Sequence, residues 1–284
     1  MTPGGHVRAA ISLGAISLNL LAWSLPLAVL FLTRVLVPAW RSRTARLCAG
    51  IYRTAVAFDD WCMQRISGAR WQNPGIDLPP GQACIVLANH RSWADILLVQ
   101  SVISRRGPIV KFLCKRELAY IPVLGMIFLA FDFPVLRRRA RRSWSEQRRR
   151  DDDRRRVREA CATLHRFPAA MLSFAEGTRF TERRHALARS SYRFLLPPRT
   201  GGFAAIVEAL RPLDAPVVDL TIGYPQPTTL WRFLGGEAGD VALDAKRCTM
   251  REVLEAGPHA WLERTWRDKD AKLAALLAQA DQAA

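Results

Sequence analysis

"ACIVLANHRSWADILLV", residues 83–99, passes from one apolar run to another through a short polar break. The first run, "ACIVLAN", is bounded by Gly81 and Asn89 and has the length of a buried strand. The second repeats its apolar residues as a helix does. A strand followed by a helix is the building unit of a parallel sheet, and three further runs of the same kind follow: "PIVKFLC" (108–114), "AAMLSFAEG" (169–177) and "APVVDLTIGY" (215–224). Together they predict an α/β domain whose mostly parallel sheet is flanked by helices.

The polar break sets His90 five residues before Asp95. On one continuous helix, five steps of about 100° would leave the two on different faces. If Ser92 caps the helix and Asp95 is its third residue, as in a capping box, the helix begins at Trp93 and His90 lies on the loop before it. The histidine can then fold back on the aspartate. A carboxylate on one ring nitrogen leaves the other free as a base, the geometry that proton abstraction needs. The alternative is that Asp95 only caps and His90 only turns, and spacing does not decide between them. A second stretch, "SFAEGTRF" (173–180), ends an apolar run with Glu176, Gly177, Thr178 and Arg179. Glycine there allows close backbone approach, and arginine can grip a phosphate through its bidentate fork.

The chain has 284 residues, half of them hydrophobic, enough for a substantial core. It divides into a membrane anchor with an amphipathic helical region, 1–72, and a catalytic domain, 73–284, that opens with the turn-rich "NPGIDLPPG". No charged residue occurs from Ala9 to Thr33, a run long enough to cross a hydrocarbon core as a helix. Asn19 and Pro26 leave open a kinked or re-entrant hairpin in one leaflet. Arg34, Arg41, Arg43, Arg46 and Arg53 follow the run and only Arg8 precedes it, a bias that puts the rest of the chain in the cytoplasm. The six cysteines form no CxxC pair, and the five histidines never stand three or four apart. Neither a disulfide framework nor a metal site is expected.

A formal net charge of +17 calls for anionic partners. Twelve arginines against four acids fall within 137–158, directly after the apolar segment 118–136, which is either core or a surface dipping into the bilayer. Arginines beside such a segment suit an anionic leaflet, at about 1 kcal/mol each. Only Trp144 interleaves with them, so nucleic acid is not the expected partner.

"NHRSWAD" (89–95) and "FAEGTR" (174–179) resemble the histidine–four–aspartate and Phe-Pro-Glu-Gly-Thr-Arg motifs of the 1-acylglycerol-3-phosphate O-acyltransferase family, the lysophospholipid acyltransferases. "CKRELAYIPVLG" (114–125), "FPVLRR" (133–138) and "APVVDLTIGYP" (215–225) resemble the remaining blocks, in order. "LLPPRTGGF" (195–203) is similar to the branch holding lysocardiolipin acyltransferases and bacterial inner-membrane enzymes. Ala175 stands where the family usually has proline. The resemblance implies a glycerophosphate acyltransferase-like α/β fold behind N-terminal membrane helices. It makes His90 the general base and Asp95 its orienting partner, and it makes Lys115, Arg137, Arg138, Glu176, Gly177, Thr178 and Arg179 the acceptor site. The implied substrates are a lysophospholipid, chiefly 1-acyl-sn-glycerol 3-phosphate, and an acyl thioester of coenzyme A or acyl carrier protein. No further cofactor and no nucleophile motif are called for, because an alcohol can attack a thioester directly. Two rivals remain: transfer to another lysolipid such as lysocardiolipin, and a basic membrane- or nucleic-acid-binding protein without catalysis.

Overall fold

The computed structural model describes residues 1–105, 107–115, 120, 122–133, 135–136, 145–165 and 167–282. Its strands are β1 (Arg70–Trp71), β2 (Cys84–Ala88), β3 (Val110–Phe112), β4 (Cys114–Lys115), β5 (Val135–Leu136), β6 (Ala170–Phe174), β7 (Val217–Gly223) and β8 (Asp240–Cys248). The helices are α1 (Pro3–Leu36), α2 (Arg41–Trp61), α3 (Ala94–Ser104), α4 (Pro122–Ala130), α5 (Glu146–Cys161), α6 (Glu182–Ala188), α7 (Thr200–Leu210), α8 (Leu230–Leu234), α9 (Met250–Glu255) and α10 (Pro258–Gln282). All four apolar runs form strands.

Six strands make one sheet in the order β1-β8-β7-β2-β6-β3, parallel throughout except for the β7–β8 pair; β4 and β5 pair separately. Both faces of the sheet are covered, which is why β2 and β7 read as unbroken apolar runs. On one face Ile85, Leu87, Met171 and Val217 pack with α5, α7 and α10. On the other, Val86, Ala88, Leu172 and Leu220 pack with Leu98 and Val99 of α3 and Phe233 of α8. Strand β1 joins the sheet from residues 70–71, so the sheet starts just before the turn-rich linker.

Helix α1 is long and apolar enough to cross a membrane. Leu18, Leu21, Leu25, Val29, Leu32 and Leu36 stand exposed along it at helical spacing. Its other side is attached to the rest of the molecule from end to end. The backbone N–H and hydroxyl of Thr2 donate to Glu237, each at 2.7 Å, Ala9 belongs to the sheet's second core, and Arg34 pairs with Asp132 at 2.7 Å. Within 118–136, α4 supplies Phe128 and Ala130 to a third core with Leu27 of α1 and Tyr52 and Val56 of α2. Helix α5 takes up the described part of the arginine-rich segment, and Arg155 and Arg156 pair with Asp152 on its own surface.

The long helix α10 is fastened to the sheet by Lys269, whose ammonium lies 2.6 Å from both the Leu220 carbonyl and Asp219. Burial lowers the lysine's pKa and Asp219 opposes that shift. Replacing Lys269 by Met leaves a buried carboxylate uncompensated, so chemical denaturation should show a loss of about 3–5 kcal/mol, largely recovered when Asp219 is made Leu as well.

Candidate active site

Strand β2 ends at Ala88, and the next residue extends its pairing by other means. The Asn89 amide donates to the Ile222 carbonyl at 2.8 Å and accepts from the Ile222 N–H at 2.9 Å, as a backbone pair would. This clamp sends the chain into the loop 90–93. Helix α3 starts at Ala94, one residue later than the capping-box reading, although Trp93 already has helical dihedrals, the Ser92 hydroxyl accepts from the Ala94 N–H at 3.2 Å, and the Ser92 N–H donates to Asp95 at 2.8 Å as a capping box would have it.

Asp95, in the first turn of α3, has no solvent exposure. Its Oδ2 accepts from His90 Nδ1 at 2.8 Å, the Arg91 N–H at 2.6 Å and the Ser92 N–H at 2.8 Å. The Tyr224 hydroxyl donates to Oδ1 at 2.6 Å. An ionised carboxylate only accepts, so Nδ1 is the donor in this contact, and in the neutral ring Nε2 is then the nitrogen with the free lone pair. Burial, with Asp95 next to it, drives the Tyr224 hydroxyl well above its ordinary pKa, so it stays a donor.

The loop after β6 wraps around His90. Phe174 stacks on the imidazole with ring centroids 4.0 Å apart and 13° between planes. Glu176 accepts from the His90 N–H at 2.8 Å, and the Phe180 N–H donates to the His90 carbonyl at 2.7 Å. The second oxygen of Glu176 accepts from the Leu196 N–H at 3.1 Å. Glu176 is 2% exposed, and both its oxygens are engaged by backbone amides, one of them that of His90. Gly177 has φ +65°, a conformation that favours glycine. The Arg179 guanidinium lies 5.1 Å from the ring centre of exposed Trp93, one loop away from His90. Thr178 is half-buried on the same loop. Lys115 ends β4, while Arg137 and Arg138 lie outside the described residues.

Three further groups, Tyr224, Asn89 and Arg91, fall inside quoted motif blocks, but their contacts were not read from the sequence. Tyr224 and Asn89 reach partners 129 and 133 residues away. Arg91 ties its guanidinium to the Phe194 carbonyl at 2.9 Å and lies over Phe180. Among the described residues no cluster of three metal-ligating side chains occurs.

The acyltransferase family profile matches residues 75–223, just over half of the chain, and takes in both loops. The chain belongs to the acyltransferase family. It is 32% identical over 203 residues to the 1-acyl-sn-glycerol-3-phosphate acyltransferase delta of Bos taurus, covering 66% of this chain and 51% of that one. It is 29% identical over 229 residues to lysocardiolipin acyltransferase 1 of Danio rerio, covering 74% and 57%. The chain therefore spans about half the length of these curated relatives. A solved structure of the 1-acyl-sn-glycerophosphate acyltransferase of Thermotoga maritima aligns over 93% of this chain and 97% of its own, with 16% identity and a TM-score of 0.45.

In this acyltransferase-family site, burial pushes the Glu176 carboxyl up to about 7, against the opposing pull of the His90 and Leu196 N–H bonds and of Arg91. The folded chain therefore holds this proton more tightly than the unfolded one does. The associated stability is complete below about pH 4, the ordinary glutamate range, and is lost as pH rises through about 7. Thermal melts should show that decline in the wild type and a flatter profile in Glu176→Gln; an equal slope in both would mean that the carboxyl carries no burial penalty.

Proposed function

We propose that the protein is a membrane-bound O-acyltransferase that moves a fatty acyl group from a thioester to the free hydroxyl of a lysophospholipid, chiefly 1-acyl-sn-glycerol 3-phosphate, giving phosphatidate. The observation that carries this reading is the 2.8 Å contact from His90 Nδ1 to a fully bonded Asp95. Nε2 of His90 takes the acceptor's hydroxyl proton as its oxygen attacks the thioester carbonyl. The tetrahedral intermediate collapses, the carbon–sulfur bond breaks, and the thiolate regains the proton from the imidazolium. Throughout, Asp95 holds the ring and stabilises its charged form. No metal or redox group enters these steps. Thr178 and Arg179, with Lys115, Arg137 and Arg138, are assigned to the acceptor's phosphate. The donor is acyl-coenzyme A or acyl carrier protein.

The name of the fish relative favours a second reading, in which the acceptor is a lysocardiolipin. Rates over a panel of lysolipids separate the two.

For the membrane, we infer that α1, α2 and α4 form an apolar lobe that enters the bilayer from one side, with the catalytic domain at the cytoplasmic face of the inner membrane. The support is that both ends of α1 are held by the same domain while its leucine stripe is exposed. Paired cysteines at Thr2 and Glu237 should then be joined by a short thiol cross-linker in native membranes. A spanning α1 would carry residue 2 to the far side, roughly 30 Å away, and no cross-link would form.

His90→Ala should lower kcat by about 10²–10⁴ with little change in melting temperature, as expected for loss of a positioned base. Asp95→Asn should also be severe, because an amide can hold the ring in the wrong tautomer. Single-turnover transfer and melting measured on the same variants decide the matter. Unstable proteins with normal turnover would reduce the pair to a helix start.

A further inference from the structure

The loop that wraps His90 has an uncovered spot at Gly177, and one side chain from another segment lies on it. The Arg199 N–H donates to the Ala175 carbonyl at 2.7 Å, which fixes its backbone to the loop. Its side chain then runs so close to Gly177 that a Cβ there would come within 2.6 Å of Nε and 2.7 Å of Cδ. The positive φ favours glycine at 177, and the bare Cα lets the Arg199 side chain lie against the loop.

Glu176, the acid of this loop, is buried with both oxygens engaged by the His90 and Leu196 amides. Among the described residues the Arg199 guanidinium has no hydrogen-bond acceptor and no carboxylate partner, and Arg199 is exposed. Arg179, two residues past Gly177, likewise has no carboxylate partner among the described residues and rests on Trp93. Two permanent cations from separate segments thus lie at this loop, Arg199 against Gly177 and Arg179 over Trp93, and among the described residues neither has a carboxylate partner.

We propose that Arg199 is a substrate-binding residue whose guanidinium receives a phosphate of one of the two substrates. The group recognised is a phosphate, carried either by the lysolipid headgroup or by the coenzyme A portion of the donor. The inference rests on the acyl-transfer reading of this site and adds to it a residue that determines specificity for a phosphorylated partner.

The test uses the purified full chain in phospholipid nanodiscs, as wild type, Arg199→Gln and Arg199→Lys. Steady-state rates are taken with lysophosphatidate against monoacylglycerol as acceptor, and with oleoyl-coenzyme A against S-oleoyl-N-acetylcysteamine as donor. Glutamine keeps much of the packing on Gly177 but not the charge. It should raise one KM by about tenfold, the low end for a charge-assisted contact, while kcat and melting temperature hold. A rise in KM for lysophosphatidate alone identifies the acceptor's phosphate. A rise for oleoyl-coenzyme A, absent with the cysteamine thioester, identifies the donor's. Lysine should restore part of the loss in either case, and added salt should shrink the difference between wild type and glutamine. Unchanged KM values for both phosphorylated substrates, or a loss confined to kcat and melting temperature, would overturn the proposal. Absence of any transfer by the wild type would instead overturn the acyl-transfer reading. Phosphorus NMR titration of glycerol 3-phosphate and of coenzyme A into the same proteins then still decides Arg199: weaker binding of either by the glutamine variant supports it, and equal binding of both refutes it.

Discussion

The buried carboxylate of Asp95 is the constraint from which the rest of the site follows. A carboxylate without solvent exposure is tolerated only when its oxygens are bonded, since an unpaired buried charge costs many kcal/mol. Four donors meet this one: the His90 ring, the Arg91 and Ser92 amides and the Tyr224 hydroxyl. Two of them are backbone groups of the loop before α3, so satisfying the charge also sets the loop's shape. The third fixes which nitrogen of His90 carries the proton. The fourth comes from the residue after β7, and it ties the loop to the neighbouring strand.

Sheet order makes this possible. β2 lies between β6 and β7 and runs parallel to both, so the loops leaving the three strands emerge at one edge, where α/β proteins bind ligands. Glu176 then meets the His90 N–H from the β6 side, and Tyr224 meets Asp95 from the β7 side. Helix α10 supports the far wall. Trp266 donates to the Leu196 carbonyl at 2.9 Å, and Asp270 accepts from the Arg193 and Phe194 amides. The Leu196 N–H in turn holds Glu176. Movement of α10 would therefore reach His90 through Leu196 and Glu176.

The elements read from the sequence are those whose signal is local. Four buried strands announce themselves as apolar runs, because covered parallel strands need no polar alternation. β8 was not among them: with Asp240, Asp244, Lys246 and Arg247 along it, its pattern is partly exposed and charged. Two-residue β1 is too short to carry any pattern. In the site, one strand-to-helix turn made the His90–Asp95 pairing possible without deciding it, and the resemblance to the family motif favoured it over a mere helix cap. Tyr224 was not legible, since its link to Asp95 exists only after β7 has docked beside β2. For Glu176 the motif gave no sign of burial, because it does not tell a solvent-facing carboxylate from one engaged by two amides.

The apolar helices and the His90–Asp95 pair belong to one packed body. Ala9 of α1 shares a core with Leu98 of α3, the helix that carries Asp95. Further along α3, Gln100 donates to the Tyr52 hydroxyl at 2.9 Å and Ser101 to Asp60 at 3.0 Å, both on α2. Tyr52 itself donates to the Val110 carbonyl of edge strand β3 at 3.2 Å. These contacts join α2 to the catalytic sheet by hydrogen bonds and packing, so the lobe does not hang on the flexible kind of linker that "NPGIDLPPG" suggests. On the acyl-transfer reading, the depth of His90 relative to the bilayer is then set by the seating of α1 and α2 against α3. A lysolipid whose acyl chain stays among the lipids can present its hydroxyl at a fixed height, and interfaces of this rigidity supply the orientation that a bimolecular transfer otherwise has to gain by chance.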